Sequence, residues 1–225
     1  KQDFCTMKSC LSFLICGFLF SGICHSQTIG NFQSVQPVSQ GPTLQIPATH
    51  QFQVLIQSGN SLGNGGTMPV NSDYCGYVSA TDDSRTGHLC INSEFVPGAV
   101  TILDVNYDST MGRWQRNAAN SVSFSGAATS TNCGGAITPW KTMVTCEEID
   151  FNFDLTGDGY RDYGWVIELD PFTRQVKDYD NNGTKDKVWA MGRFKHENCA
   201  FAADSITVYE GEDNSSNGCL FKYVA

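Results

Sequence analysis

The stretch TNCGGAITPWKTMVTCEE, residues Thr131–Glu148, carries the features on which both the fold and the chemistry of this chain depend. Cys133 stands near its start, and the two glycines after it let the backbone approach a bound ion closely. A Pro-Trp step and a short apolar strand follow, and the strand ends on the paired carboxylates Glu147 and Glu148. Thiolates prefer zinc, copper or iron, whereas carboxylates also bind calcium, magnesium or manganese. The stretch therefore predicts a mixed metal site; the alternative is a turn with a buried cysteine and a solvated glutamate pair.

Length, charge and composition favour a single acidic domain built from strands. The 225 residues suffice for one sizeable core. Because 23 Asp and Glu face 14 Lys and Arg, the net charge is -9, which argues against a nucleic-acid partner and suits metal cations or simple solubility. The 22 glycines and the lack of helical periodicity after residue 30 indicate short strands joined by turns. We expect an all-β monomer.

The N-terminal residues are typical of a secretory signal peptide. Met7 is the expected start of translation, and the apolar run from Leu11 is too short to span a bilayer. Cleavage near Ser26-Gln27 would release a secreted or periplasmic chain without a membrane span. Residues 1–26 then comprise upstream residues and the signal, and residues 27–49 form a Ser/Gln/Pro-rich arm. A buried N-terminal helix is the alternative.

Export permits disulfides, so the cysteines need a separate interpretation. A hairpin that pairs Ala80 with Gly87 would put Cys75 one diagonal step from Cys90, which is poor geometry for a bridge. If Cys133 ligates a metal, at least one other cysteine should be free. We leave the connectivity open among the six cysteines beyond the cleavage point: Cys75, Cys90, Cys133, Cys146, Cys199 and Cys219.

A weak repeat predicts the architecture. An apolar strand ends on acid three times, at Glu94, at Glu148 and at Glu212-Asp213, with intervals of 54 residues from Glu94 to Glu148 and 64 residues from Glu148 to Glu212. Repeated strand pairs suggest β-propeller blades, in which equivalent strand ends meet on one face of the channel and could share one ion. Coincidence among short hairpins is the alternative. Besides the hairpin, strands are predicted at residues 51–57, 100–105, 121–124, 142–146, 165–169, 205–209 and 220–224.

Two Asp-rich loops predict calcium sites. Each places oxygen side chains at positions 1, 3, 5 and 9 with glycine at position 6, as at the front of a calcium loop. Neither has the glutamate that ends an EF-hand loop, so they are not EF-hands. The alternative is a plain Asp/Asn/Gly turn. The expected Ca2+ ligands are Asp154, Asp158 and Asp162 in the first loop and Asp178, Asp180 and Asp186 in the second.

A series of motifs spread over about residues 50–225 resembles the PhoX family of secreted alkaline phosphatases. Their order and spacing agree with the family, which is more specific than any one motif. The motifs are NSDYCGYV, GHLCINSE, NCGGAITPWKTMVTCEE, DGYRDYGWVIELDP, KVWAMGRFKHENCA, VYEGED and LFKYV. The resemblance implies a β-propeller whose channel holds iron and calcium (Fe3+ and Ca2+) and which hydrolyses phosphate monoesters.

The resemblance also implies roles for individual residues. Cys133 falls where the family has its iron-binding cysteine, Glu148 where it has a metal-bridging carboxylate, and Glu197 on a further ligand position. Further expected ligands are Glu94, Glu147 and Asp213. The chemistry of the residues themselves suggests two catalytic ones: His196, which could orient Glu197 or pair with substrate, and Arg193, which could face phosphate. A structural histidine and a solvated arginine are the alternatives.

The sequence departs from the family in two places. Asn92-Ser93-Glu94 stands where the family more often has Asn-His-Glu. The chain printed here ends at Ala225, so we expect a partial β-propeller with about half of the blades, and a poor phosphatase by itself.

Two other function classes remain open at this point. A calcium-stabilised extracellular β-propeller used only for binding would keep the Asp-rich loops but would not need the thiolate and carboxylates. A calcium-dependent lactonase-like hydrolase would use carboxylates and asparagine around one calcium, and no cysteine. Metal analysis for iron beside calcium separates the three.

Overall fold

The structure is a computed structural model that describes residues 34–36, 41, 43–48, 50–124 and 126–225. The expected signal peptide and most of the expected arm lie outside these residues. The chain divides into two compact units, Lys1–Phe52 and Gln53–Ala225, and the strands belong to the second. In the part of the chain that is described, no helix is long and apolar enough to cross a membrane.

The second unit is built from three antiparallel sheets, in which strands that follow one another in the chain are neighbours. The all-β prediction is confirmed: the described residues contain no α-helix, only a short 3-10 turn at Trp189–Met191. The first sheet contains β1 (Ser72–Ser79), β2 (Thr86–Ser93), β3 (Ala99–Asp108) and β4 (Arg113–Ser121). The second contains β5 (Asn132–Ile137), β6 (Met143–Glu147), β7 (Val166–Asp170) and β8 (Gln175–Val176), and the third contains β9 (His196–Phe201), β10 (Thr207–Glu212) and β11 (Leu220–Val224).

The second sheet is buried on both faces, and most of the residues that its strands bury are apolar. Met143 and Ile167 belong to a core shared with the first sheet. Their chain neighbours Val144 and Val166 point the other way, into a core shared with β9 and β10 of the third sheet. Because successive side chains of a strand alternate between faces, an uninterrupted apolar run can fill both cores at once.

The outer face of the first sheet is covered by irregular chain. Leu55 and Ile56 pack on it, together with the buried Leu62 and Met68. The prediction of a strand at residues 51–57 is therefore wrong: this segment forms no strand and contributes side chains alone.

The hairpin between β1 and β2 is confirmed, but its register differs by one residue. Ser79, not Ala80, pairs with Gly87, so Cys75 stands opposite Ile91. Successive residues of a strand face opposite sides, and this shift changes which of them share a face with Cys90. All six cysteines of the described part are free thiols.

The first strand of each sheet lies beside the first strand of the next. β5 packs against β1 on one side and β9 on the other. This approach requires glycine at Gly134, where a Cβ would come within 2.1 Å of the Glu197 carbonyl oxygen. The expectation that this glycine makes room for an ion is corrected: it makes room for the neighbouring backbone.

Candidate metal centre

We call the first strand of each sheet its inner strand. The second residue of each inner strand is a potential metal ligand. These residues are Asp73 on β1, Cys133 on β5 and Glu197 on β9. Since the three strands are neighbours, equivalent positions on them lie close together. The three sheets therefore present one ligand group each from the same structural position.

An acidic residue directly follows the second strand of each sheet. Glu94 follows β2, Glu148 follows β6 and Asp213 follows β10. The carboxyl of Glu148 lies within hydrogen-bonding reach of those of Asp213 and Glu94. The repeat seen in the sequence thus brings its three acids together.

In each sheet the strand pairing is irregular at the potential ligand residue of the inner strand. The pairing skips the residues between Ser72 and Cys75 in β1 and those between Asn132 and Gly135 in β5. In β9 it skips Glu197. A bulge bends the strand and changes the direction of a side chain, so the same device occurs at each of the three positions.

The ligand atoms form two overlapping groups that share Cys133. The first group contains Asp73, Glu94 and Cys133, and the second contains Cys133, Glu148 and Glu197. Within each group the sulfur and oxygen atoms lie within 4.8 Å of one another. The Cys133 thiol also donates to Asp73 Oδ2 at 3.5 Å. We call Asp73, Glu94, Cys133, Glu148, Glu197 and Asp213 the acidic cluster.

The acidic cluster is electrostatically strained without a cation. Burial, together with hydrogen bonds to the carboxyls of Asp213 and Glu94, raises the pKa of Glu148 to about 8. Burial and the charges of Asp213 and other carboxylates also raise the pKa of Glu197. The pKa of the Cys133 thiol is raised well above its usual value by burial and by nearby carboxylates. A bound cation would reverse these effects, because it favours the charged form of every group.

Glu147 lies outside the acidic cluster, so its expected role as a ligand is corrected. Its carboxylate is fully buried, and Lys187 Nζ donates a hydrogen bond of 2.8 Å to each of its two oxygens. The backbone amides of Ser130 and Trp165 also donate to it. Adjacent residues of a strand point to opposite faces, which separates Glu147 from Glu148.

His196 is also placed differently from the expectation. Its ring is fully buried, Nδ1 lies 2.7 Å from Glu210 Oε2, and Nε2 lies 3.2 Å from the Gly192 carbonyl oxygen. With both nitrogens engaged inside the protein, the ring cannot pair with substrate. His196 is a structural residue of the third sheet.

The guanidinium of Arg193 is bonded to backbone carbonyls of the segment between β6 and β7. Its Nε donates to the Tyr163 carbonyl at 2.8 Å, and one terminal nitrogen donates to the carbonyls of Asp150 and Phe151. It also lines a cavity of about 410 Å³ that includes Asp213 of the acidic cluster. The three backbone contacts of Arg193 use Nε and one terminal nitrogen, and its contact with phosphate stays a prediction.

The two Asp-rich loops differ in how far their carboxylates converge. Asp178, Asp180 and Asp186 bring ligand oxygens within 4.8 Å of one another. In both loops the first aspartate accepts from backbone amides, Asp154 from those of Gly157 and Gly159 and Asp178 from those of Asn182 and Gly183. Within the described chain, Asp154, Asp158 and Asp162 do not form such a group.

Asp73 was not expected, although the sequence carries a signal for it. The inner strands read DYCG from Asp73, CGGA from Cys133 and ENCA from Glu197. In each, a ligand type is followed two residues later by the small residue Cys or Gly. Extending the repeat from the second strand of each sheet to the first would have found it.

Comparison with known proteins adds a family. A family model described as alkaline phosphatase PhoX matches residues 113–225. The matched part includes Cys133, Glu148, Glu197 and Asp213, whereas Asp73 and Glu94 precede it. Comparisons with curated proteins and with solved structures give no match.

Proposed function

The chain belongs to the PhoX family of alkaline phosphatases, and from this premise we propose that it is a secreted, metal-dependent phosphatase that hydrolyses phosphate monoesters. One observation carries the proposal: three equivalent strand pairs bring one thiol and five carboxylates to a single centre. The apolar run that begins at Leu11 supports export.

We propose that the three sheets are blades of a partial β-propeller. Each sheet is a meander of neighbouring antiparallel strands, and the first strands β1, β5 and β9 lie side by side. Equivalent ligands at the second residue of each inner strand support a common channel. In a propeller these positions face the central axis, which explains why residues so distant in sequence meet.

The donor set of the acidic cluster fits Fe3+ together with Ca2+. We assign iron to Cys133 with Glu148 and Glu197, because thiolates bind iron whereas Ca2+ takes oxygen ligands. Asp73, Glu94 and Asp213 would supply oxygen ligands to Ca2+, which prefers carboxylates. When bound, these cations would neutralise the charge of a phosphate monoester and polarise its phosphorus.

The chain's own residues have distinct tasks in this proposal. The bulged inner strands hold the ligands at fixed positions, and the buried cores behind them keep those strands rigid. The cavity of about 410 Å³ beside Asp213 also contains Lys195, whose charge favours an anionic substrate. A separate Ca2+ ion held by Asp178, Asp180 and Asp186 would stabilise the second loop.

The test is hydrolysis of p-nitrophenyl phosphate by the full chain supplied with Ca2+ and Fe3+. We expect weak hydrolysis, in keeping with a partial β-propeller, that chelator abolishes and that falls at least about tenfold in Glu148→Gln, the loss typical when a group that holds a metal is altered. Cys219→Ser, at an exposed thiol, is the matched control and should keep parental turnover. Hydrolysis indifferent to chelator and to Glu148→Gln would contradict the proposal, and cleavage of a lactone in its place would favour the lactonase alternative.

A further inference from the structure

The bulge in β5 releases backbone groups beside the thiol of the acidic cluster. Ladder pairing with β6 stops at Asn132 and resumes at Gly135, so Cys133 and Gly134 lie outside the regular pattern. Buried backbone groups need partners from elsewhere when the ladder does not supply them. The conformation at Cys133 therefore depends on side chains from the neighbouring sheets.

Asn92 supplies the donors from the first sheet. Its Nδ2 donates to the carbonyl oxygens of both Cys133 and Gly134, and each distance is 2.7 Å. The residue is fully buried on β2, and its Oδ1 has no partner among the described residues. A buried oxygen without a partner is costly, so the two hydrogen bonds from Nδ2 are what keeps the carboxamide in this orientation.

Asn198 supplies an acceptor from the third sheet. Its Oδ1 accepts from the amide of Gly135 at 3.0 Å and from the amide of Cys199 at 2.9 Å. The bulge is thus held from one side by a carboxamide of the first sheet and from the other by a carboxamide of the third.

We propose that Asn92 and Asn198 are positioning residues that fix the β5 bulge and so direct the Cys133 thiol toward the carboxylates of the acidic cluster. This inference rests on the proposed function for its metal, but its geometry is a property of the chain alone. Losing either carboxamide frees the backbone at Cys133, so the sulfur no longer keeps its place within 4.8 Å of the neighbouring ligand oxygens.

The first readout needs no metal: the rate at which iodoacetamide alkylates Cys133 in the full, metal-free chain, followed by mass spectrometry. Asn92→Leu and Asn198→Ala should each raise this rate by about tenfold, since ordinary hydrogen bonds that hold a local closed state are lost. Cys146, buried on β6, should keep its slow rate in the same sample and so show that the whole chain has not opened.

Asn64→Leu is the matched control for general loss of hydrogen bonds. Asn64 also bonds backbone, through Nδ2 to the Ser121 carbonyl at 2.9 Å and from the Ser121 amide at 3.0 Å, but at a site away from β5. This variant should leave the alkylation of Cys133 unchanged. Unchanged alkylation in both Asn92→Leu and Asn198→Ala would overturn the positioning role. If Asn92→Leu does not fold, the more exposed Asn198 position decides alone.

The second readout is the affinity for Fe3+, measured by equilibrium dialysis. Both variants should bind iron about 10–100-fold more weakly than the parent, as is usual when a group that orients a metal ligand is removed. A parent chain that binds no iron would defeat the proposed function while leaving the alkylation result to decide the positioning role. Normal iron affinity in both variants would overturn the inference.

Discussion

Replacing Lys187 with methionine should destabilise the chain by about 3–5 kcal/mol, the cost of removing one partner of a buried ion pair. The side chains of Lys187 and Glu147 are 3% and 0% exposed, and Lys187 Nζ lies 2.8 Å from both carboxylate oxygens. Lys187 also donates to the Asp162 carbonyl. Methionine fills much of the same volume but leaves a buried carboxylate without a counter-charge.

The measurement is urea unfolding of the full chain at about pH 8 and about pH 5. Burial raises the pKa of Glu147, and the charge of Lys187 opposes that rise. Removing Lys187 therefore raises the pKa further, so the folded variant gains stability when the carboxyl is protonated and loses it as the pH rises. We expect a smaller deficit at the lower pH.

Two variants complete this test. Lys222→Met removes an exposed lysine and should change stability by less than about 0.5 kcal/mol. The double variant Lys187→Met with Glu147→Leu removes the stranded charge and should recover a large part of the loss. A loss of unfolding free energy below about 1 kcal/mol in Lys187→Met, equal at both pH values, would show that the buried ion pair does not stabilise the chain in this way.

Three further predictions concern metal and proton binding. The pKa of Glu148 stands at about 8 instead of its usual 4.5, so the folded, metal-free chain holds its proton longer than the unfolded chain does. Its melting temperature should therefore fall as the pH rises through this range, and saturating Ca2+ should reduce the fall; a melting temperature that rises with pH would contradict this. Calcium should raise the melting temperature less in Asp178→Asn than in Asp158→Asn, because only the second loop gathers its carboxylates; equal effects would speak against a site there. Cys133→Ser should lose iron in elemental analysis while a calcium-dependent rise in melting temperature persists, and full iron content in this variant would remove the thiol from the centre.

Local sequence predicted strands that are rich in apolar residues, whether they are buried, like β6, or largely exposed, like β11. β11 was predicted at residues 220–224 and begins and ends there, and β6 was predicted one residue early. Cys133 and Glu148 meet because they belong to a single hairpin, so their encounter needs no knowledge of the rest of the chain. Glu197 and Asp213 joined them through the resemblance and the repeat.

Features decided by distant partners were missed. β4 (Arg113–Ser121) reads RWQRNAANS and lies mostly half-buried or exposed at the edge of its sheet, so it lacks the apolar alternation that marks a strand. Residues 51–57 have that alternation in Phe52, Val54 and Ile56, yet they form no strand. Phe52 and Val54 are exposed, and only Ile56 with its neighbour Leu55 packs on a core.

The two misassigned site residues show the same limit. Glu147 binds Lys187, 40 residues away, and the ring of His196 binds Glu210 on the next strand. Neither partner is visible in a local motif. Adjacency to a member of the acidic cluster made Glu147 look like a ligand and His196 like a catalytic residue. The period of two along a strand already separates Glu147 from Glu148 and is the stronger argument.

We expect equivalent strand pairs of three sheets to hold one metal centre that contains the Cys133 sulfur. X-ray absorption at the iron edge, on the full chain loaded with Fe3+ and Ca2+, measures whether sulfur is bound to the iron. We predict a sulfur neighbour at the bonding distance together with oxygen neighbours, and loss of the sulfur signal in Cys133→Ser. An iron environment of oxygen and nitrogen alone in the parent chain, or one unchanged by Cys133→Ser, would contradict the account.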